Sequence, residues 1–183
     1  MKVRWRDVRD DMPTGAGVTP PKMGTVTGVA IHHSAAVDLA TGVSRAAARD
    51  IFDYHVAVRG WSHGAYHYLI RPNGLVEYAL DETIAGNHAG QIWNYRLLAV
   101  CVLGWFDRDR VHSSGVAIPN RFTTPTPAQW SATVATVRDI LVRHELEPDA
   151  VRGHRELDGC ATVCPGSRID LDQMRAELSL SGR

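Results

Sequence analysis

Apolar residues fall along this chain in short runs and in helical periods, and the two alternate. Val26-Thr27-Gly28-Val29-Ala30-Ile31, bounded by Gly24 and by His32-His33-Ser34, is a run of the length a buried strand uses. Its two histidines then stand at the strand's C-terminal end. From Ser44, an N-cap residue, to about Val58, the positions Ala47, Ile51, His55 and Val58 recur at helical spacing, and Gly60 closes the segment. Tyr66 to Arg71 and Leu75 to Tyr78 flank Pro72-Asn73-Gly74, where Asn and Gly tolerate the positive φ of a tight turn, so a hairpin is expected. Leu97 to Gly104 is almost continuously apolar, too short for an ordinary helix and suited to a central strand covered on both faces.

The clearest helix signal follows Thr126-Pro127-Ala128-Gln129. Thr and Gln bracket a first-turn proline as in a capping box, and Trp130, Val134, Val137 and Leu141 repeat on one face to about His144. A last short helix is expected from about Asp170 to Leu178. Residues 10–25 carry three prolines and three glycines with no hydrophobic period, so residues 1–25 read as an irregular lead-in. Helices alternating with buried strands predict an α/β fold: a single domain with a central mixed β-sheet flanked by helices.

Length and charge narrow the function. At 183 residues the chain is one domain, large enough to bury a core. Twenty Lys and Arg against twenty Asp and Glu give a formal net charge of zero, so no basic field favours nucleic acid. Charged residues occupy the start, Met1-Lys2-Val3-Arg4-Trp5-Arg6-Asp7, and no long apolar run follows, so neither an export signal nor a membrane anchor is expected. That predicts a chain that is cytoplasmic when made and has no membrane partner. Three cysteines, Cys101, Cys160 and Cys164, are too few for a disulfide framework. Nine histidines are an excess that position must explain.

Reactive side chains concentrate in Ile31-His32-His33-Ser34, in Tyr66-His67-Tyr68, and in Gly153-His154-Arg155-Glu156 leading to Cys164-Pro165-Gly166. A hydrolytic zinc ion takes three nitrogen or sulfur ligands and keeps its fourth position for water, a need that two His and one Cys satisfy. Candidates so far apart in sequence could meet only through a folded sheet. By spacing alone the signal is weak, since most single histidines are satisfied core or surface residues.

The surrounding residues are more specific. Val29-Ala30-Ile31-His32-His33-Ser34, Gly60-Trp61, Tyr66-His67-Tyr68, Pro72-Asn73-Gly74 with Glu77, Gly86-Asn87-His88-Ala89-Gly90, Asn94, Val102-Leu103-Gly104, Thr126 to Gln129, Gly153 to Glu156 and Cys164-Pro165-Gly166 occur in one order. In that order they resemble the zinc-dependent N-acetylmuramoyl-L-alanine amidases of the type 2 family, which includes phage lysozyme-like amidases and animal peptidoglycan recognition proteins. The resemblance covers about residues 26–175, and implies that 26–183 is a catalytic domain.

It implies that His32, His154 and Cys164 hold one Zn2+ per chain, and that Tyr66 orients the attacking water or stabilises the oxyanion. Thr162 falls where the family carries a second oxyanion contact, although the loop before Cys164 is two residues longer than usual. His88 and Asn94 match residues lining the substrate groove, with loop anchoring as the alternative. His33 and His67 point away from their neighbours by strand alternation. His63, Gly64 and Ala65 depart from the family's residues before the tyrosine, which alters the local groove. Cys160 could compete as a ligand or pair with Cys164 in a disulfide, but Pro165-Gly166 fixes the register on Cys164. The implied activity is hydrolysis of the amide between N-acetylmuramic acid and L-alanine by a phage or prophage endolysin, a monomer acting on peptidoglycan or muropeptides after release. The alternatives are a non-catalytic peptidoglycan-binding module and a cytosolic amidase recycling soluble muropeptides.

Overall fold

A computed structural model describes residues 3–17, 19–35, 46–107 and 124–180. Strands β1 (Arg4–Asp7), β2 (Gly28–His33), β3 (Tyr68–Ile70), β4 (Leu75–Tyr78), β5 (Leu97–Val102) and β6 (Val151–Gly153) form one mixed sheet in the order β1-β4-β3-β5-β2-β6, accompanied by helices α1 (Ala48–Asp53), α2 (Gln91–Asn94), α3 (Pro127–Arg143) and α4 (Leu171–Ser179). β3 and β4 are the antiparallel hairpin, and the other neighbours run parallel. Gly74 has φ +75° and its N–H donates to the Arg71 carbonyl, which closes the Asn73-Gly74 turn.

Every residue of β2 and β5 is buried, and their sequences are apolar apart from the His32-His33 end of β2. One face of the sheet, carrying Val29, Ile31, Leu98 and Val100, packs on helices α3 (Pro127–Arg143) and α4 (Leu171–Ser179) through Val137, Ile140 and Met174. The opposite face, with Leu69 and Cys101, meets Phe52 of helix α1 (Ala48–Asp53). Cys101 is therefore core, as its place in the apolar run implies.

Three details differ from the pattern. The lead-in contains β1, whose Arg-Trp-Arg-Asp sequence is exposed throughout and shows no apolar alternation. It is held by pairing with β4, by Trp5 edge-on to Tyr68 and by Arg9 stacked over Tyr78. α1 covers only part of the expected helix and continues as a π-helical turn at Tyr54–Val58, while the expected cap Ser44 lies outside the described residues. Thr126 does cap α3, accepting the Gln129 N–H at 3.0 Å, but the Gln129 side chain does not return to the cap. Its Nε2 donates instead to the Ile70 carbonyl, which also accepts the Leu103 N–H at 2.9 Å, and to the buried Leu103 carbonyl just beyond β5. Among the described residues, no helix is long and apolar enough to cross a membrane.

Candidate metal centre and its groove

Parallel pairing creates the centre. Ile31 on β2 is in register with Gly153 on β6, so His32 and His154, one residue further on each, emerge side by side at the C-terminal edge of the sheet. Their ring centroids are 4.6 Å apart. A side chain at Gly153 would crowd its neighbours there, since a Cβ would lie 2.5 Å from the tip of Leu171 and 3.0 Å from the Pro165 ring.

Cys164 returns to this edge on a loop pinned by Arg155. The Arg155 backbone N–H donates to the Cys164 carbonyl at 2.7 Å, and its guanidinium donates to the Gly166 and Ile169 carbonyls. Gly166 takes φ +95°, and a Cβ on it would come within 2.3 Å of the Phe106 backbone. The Cys-Pro-Gly motif is thus what lets this loop close against its neighbours.

One donor atom from each of His32, His154 and Cys164 lies within 4.8 Å of the others, and His32 Nδ1 is 3.6 Å from Cys164 Sγ. Bonds of about 2.1 Å to nitrogen and 2.3 Å to sulfur at a tetrahedral angle separate two such donors by about 3.6 Å. Burial, with His88 and His154 nearby, drives the His32 imidazole well below its usual range, and burial lowers His154 as well. Both rings are therefore neutral at pH 7, with a lone pair to give. Burial pushes the Cys164 thiol up to about 12, opposed by the His33 backbone N–H at 3.4 Å from Sγ. The donor set suits zinc, whose charge would replace the thiol proton.

Tyr66 precedes β3 and turns its ring to 5.3 Å from that of His32. Burial, together with the adjacent Cys101 and Cys164 thiols, raises the Tyr66 phenol well above its usual range, so it stays protonated. Thr162 is half-buried, and its Oγ1 accepts the Cys164 N–H at 3.1 Å, which leaves the hydroxyl proton as a donor. A cavity of about 690 Å³ opens beside the centre, lined by Trp61, Asn87, His88, Asn94, His154 and Cys160. A second, of about 670 Å³, is lined by Asp50, His55, Arg59, Trp61 and Tyr66, so the two share Trp61 as a common wall.

The predicted residues are thereby brought together, with distinctions. His88 lines the first cavity, yet both its ring nitrogens are already engaged, one by His32 and one by the Leu97 carbonyl. Asn94 Oδ1 accepts the N–H groups of His88 and Ala89 at 3.0 and 2.7 Å, anchoring that loop. His33 Nδ1 accepts the Phe106 N–H, and His67 joins the Ala99 N–H to the Ile84 carbonyl, so both face away from the donor set. His63 bonds the Ala85 carbonyl at 2.7 Å, and the Phe52 ring occupies the space a Cβ on Gly64 would need. All three cysteines are free, and Cys160 forms cavity wall outside the donor set. Arg155, within the Gly-His-Arg-Glu motif, is a loop clamp whose role sequence reasoning did not assign.

Comparison with known proteins gives one family: N-acetylmuramoyl-L-alanine amidase matches residues 22–167. The endolysin of Escherichia phage T7 is 27% identical over 135 residues, covering 74% of this chain and 80% of its own. Mouse peptidoglycan recognition protein 1 is 38% identical over 123 residues, 67% of this chain and 59% of its own. Among solved structures, the N-acetylmuramoyl-L-alanine amidase LysC from Clostridium intestinale URNW superposes with a TM-score of 0.75 at 20% identity, covering 97% of this chain and 99% of its own. The Ph2119 endolysin from the Thermus scotoductus MAT2119 bacteriophage gives 0.61 at 25% identity, covering 96% and 98%.

Proposed function

Because this chain belongs to the N-acetylmuramoyl-L-alanine amidase family, we propose that it is a zinc-dependent hydrolase of the amide joining N-acetylmuramic acid to L-alanine in bacterial peptidoglycan. The observation that carries this reading is the convergence of His32, His154 and Cys164 beside Tyr66 where two cavities meet. His32, His154 and Cys164 would hold the zinc ion, which when bound would lower the pKa of a water to roughly 7 and polarise a carbonyl. Tyr66, kept protonated by its burial, donates to the amide oxygen as negative charge develops on it, and the Thr162 hydroxyl is the second donor. The cavities on either side of Trp61 receive the sugar and the stem peptide.

Similarity to phage endolysins supports a phage or prophage lytic setting, with the enzyme made in the host cytoplasm and acting on the wall after release. The test is digestion of purified sacculi and of soluble muropeptides in parallel. Expected are about one zinc per chain, chelator-sensitive release of new L-alanine amino termini, and no new reducing sugar ends. Reducing ends would make the enzyme a glycosidase. Binding of peptidoglycan without cleavage by the zinc-loaded protein would leave a recognition module.

A further inference from the structure

A chain of three groups runs inward from the donor set. His32 Nε2 lies 3.0 Å from His88 Nδ1, and His88 Nε2 lies 3.1 Å from the carbonyl oxygen of Leu97. Both rings are buried. The last group fixes the order of the protons, because a carbonyl oxygen only accepts. His88 Nε2 must carry a hydrogen to bond it, since an unprotonated nitrogen would face the oxygen lone pair to lone pair. A neutral His88 then has its lone pair on Nδ1, and that nitrogen can only accept from His32. His32 accordingly carries its hydrogen on Nε2. Its Nδ1, the atom 3.6 Å from Cys164 Sγ, is left with the free lone pair that a metal requires.

We infer that His88 is a positioning residue that holds His32 in the Nε2-protonated tautomer and so presets its Nδ1 as a ligand. Asn94 supports it by accepting the backbone N–H groups of His88 and Ala89, which fixes the ring's starting point. The His88 ring is buried and bonds an imidazole and a carbonyl, with no carboxylate among these partners to hold a second proton, so it passes on a hydrogen-bond direction and no charge. The consequence for binding rests on His32 being a zinc ligand; the proton order rests only on the protein.

The two are separated by measuring them apart. Long-range 1H–15N correlation on chelator-treated protein labelled in histidine reads the His32 tautomer without metal or substrate. Zinc affinity is then read by competition with a chromophoric chelator for the wild type, His88→Ala and His88→Asn. The Asn variant can place an amide oxygen where Nδ1 accepts. Expected are an Nε2-protonated His32 in the wild type and in His88→Asn, and a mixed or reversed tautomer in His88→Ala. Zinc affinity should fall 10- to 100-fold in His88→Ala and return to within a fewfold of wild type in His88→Asn. A wild-type His32 protonated on Nδ1 would overturn the inference by itself, even if both variants failed to fold. So would His88→Ala with unchanged tautomer and affinity. A wild type with the expected tautomer that binds no zinc would count instead against the zinc enzyme.

Discussion

Tyr66 and Cys164 lie at one site but are expected to fail in different ways. The tyrosine contributes no donor atom to the group formed by His32, His154 and Cys164; its ring flanks that group at 5.3 Å from His32. Tyr66→Phe removes one of the two hydroxyl protons that could meet a developing oxyanion, Thr162 carrying the other, and leaves His32, His154 and Cys164 in place. It should retain one zinc per chain while kcat falls about 100-fold or more, as for other oxyanion donors. Cys164→Ala takes away the only sulfur of the set and the acceptor of the His33 N–H, so zinc itself should be lost on dialysis, and activity with it. Metal content measured beside turnover distinguishes the two. Equal zinc loss in both variants would mean that Tyr66 holds the site together and does no chemistry.

At the scale of elements, ligand placement is a property of strand register. A one-residue slip between β2 and β6 would turn His32 to the α3 and α4 face, where Ile31 now packs. Gln129 guards the ends of neighbouring strands, its Nε2 donating to Ile70 on β3 and to Leu103 just beyond β5 at 2.9 Å each. Gln129→Met fills similar space but takes the side-chain donor from the buried Leu103 carbonyl, while the Ile70 carbonyl keeps the Leu103 N–H, so unfolding should be easier by about 1–3 kcal/mol in urea titration. A loss below about 0.5 kcal/mol would show that the Leu103 carbonyl finds another partner.

The same residues mark how far sequence carries. Thr126 and the periodic face after it announced α3, because capping and periodicity are local. The direction of the Gln129 side chain was not legible, because its partners are 59 and 26 positions away. β2 and β5 were legible because strands buried on both faces are written largely in apolar residues, whereas the exposed, charged β1 owes its place to pairing with β4 and to the contacts of Trp5 and Arg9 with distant tyrosines. The convergence of His32, His154 and Cys164 was expected from the family resemblance of the motifs around them, Cys164-Pro165-Gly166 above all, and not from their spacing. The bond from His32 to His88 spans 56 positions and has no sequence signature.

For the whole molecule, so many neutral buried histidines tie folding to pH. His55 and His67 stand clear of the donor set, and burial lowers each to about 4. His67 holds the Ala99 N–H and the Ile84 carbonyl, while His55 stacks on Trp61 with its Nδ1 buried and unpartnered among the described residues. An unfolded chain protonates both near pH 6.5, and the folded chain only near pH 4, so between those values the unfolded state binds more protons. Stability is therefore fully present above about pH 6.5 and is lost as pH falls towards 4, by up to about 1.4 kcal/mol per pH unit for each ring. Below that, Glu82 continues the trend. Its burial favours the neutral acid, but hydrogen bonds from Arg143, Tyr68 and His144 hold it down to about 2, so protonating it in the unfolded chain below about pH 4.5 removes further stability. Urea unfolding of chelator-treated protein from pH 7.5 to 4.5 should show unfolding free energy falling with acid. His55→Phe, which keeps a ring against Trp61 and takes up no proton, should reduce that slope by roughly the share of one histidine. A slope that His55→Phe leaves unchanged would assign the acid sensitivity to other groups, and a flat profile would mean that the folded protein admits protons to these rings as readily as water does.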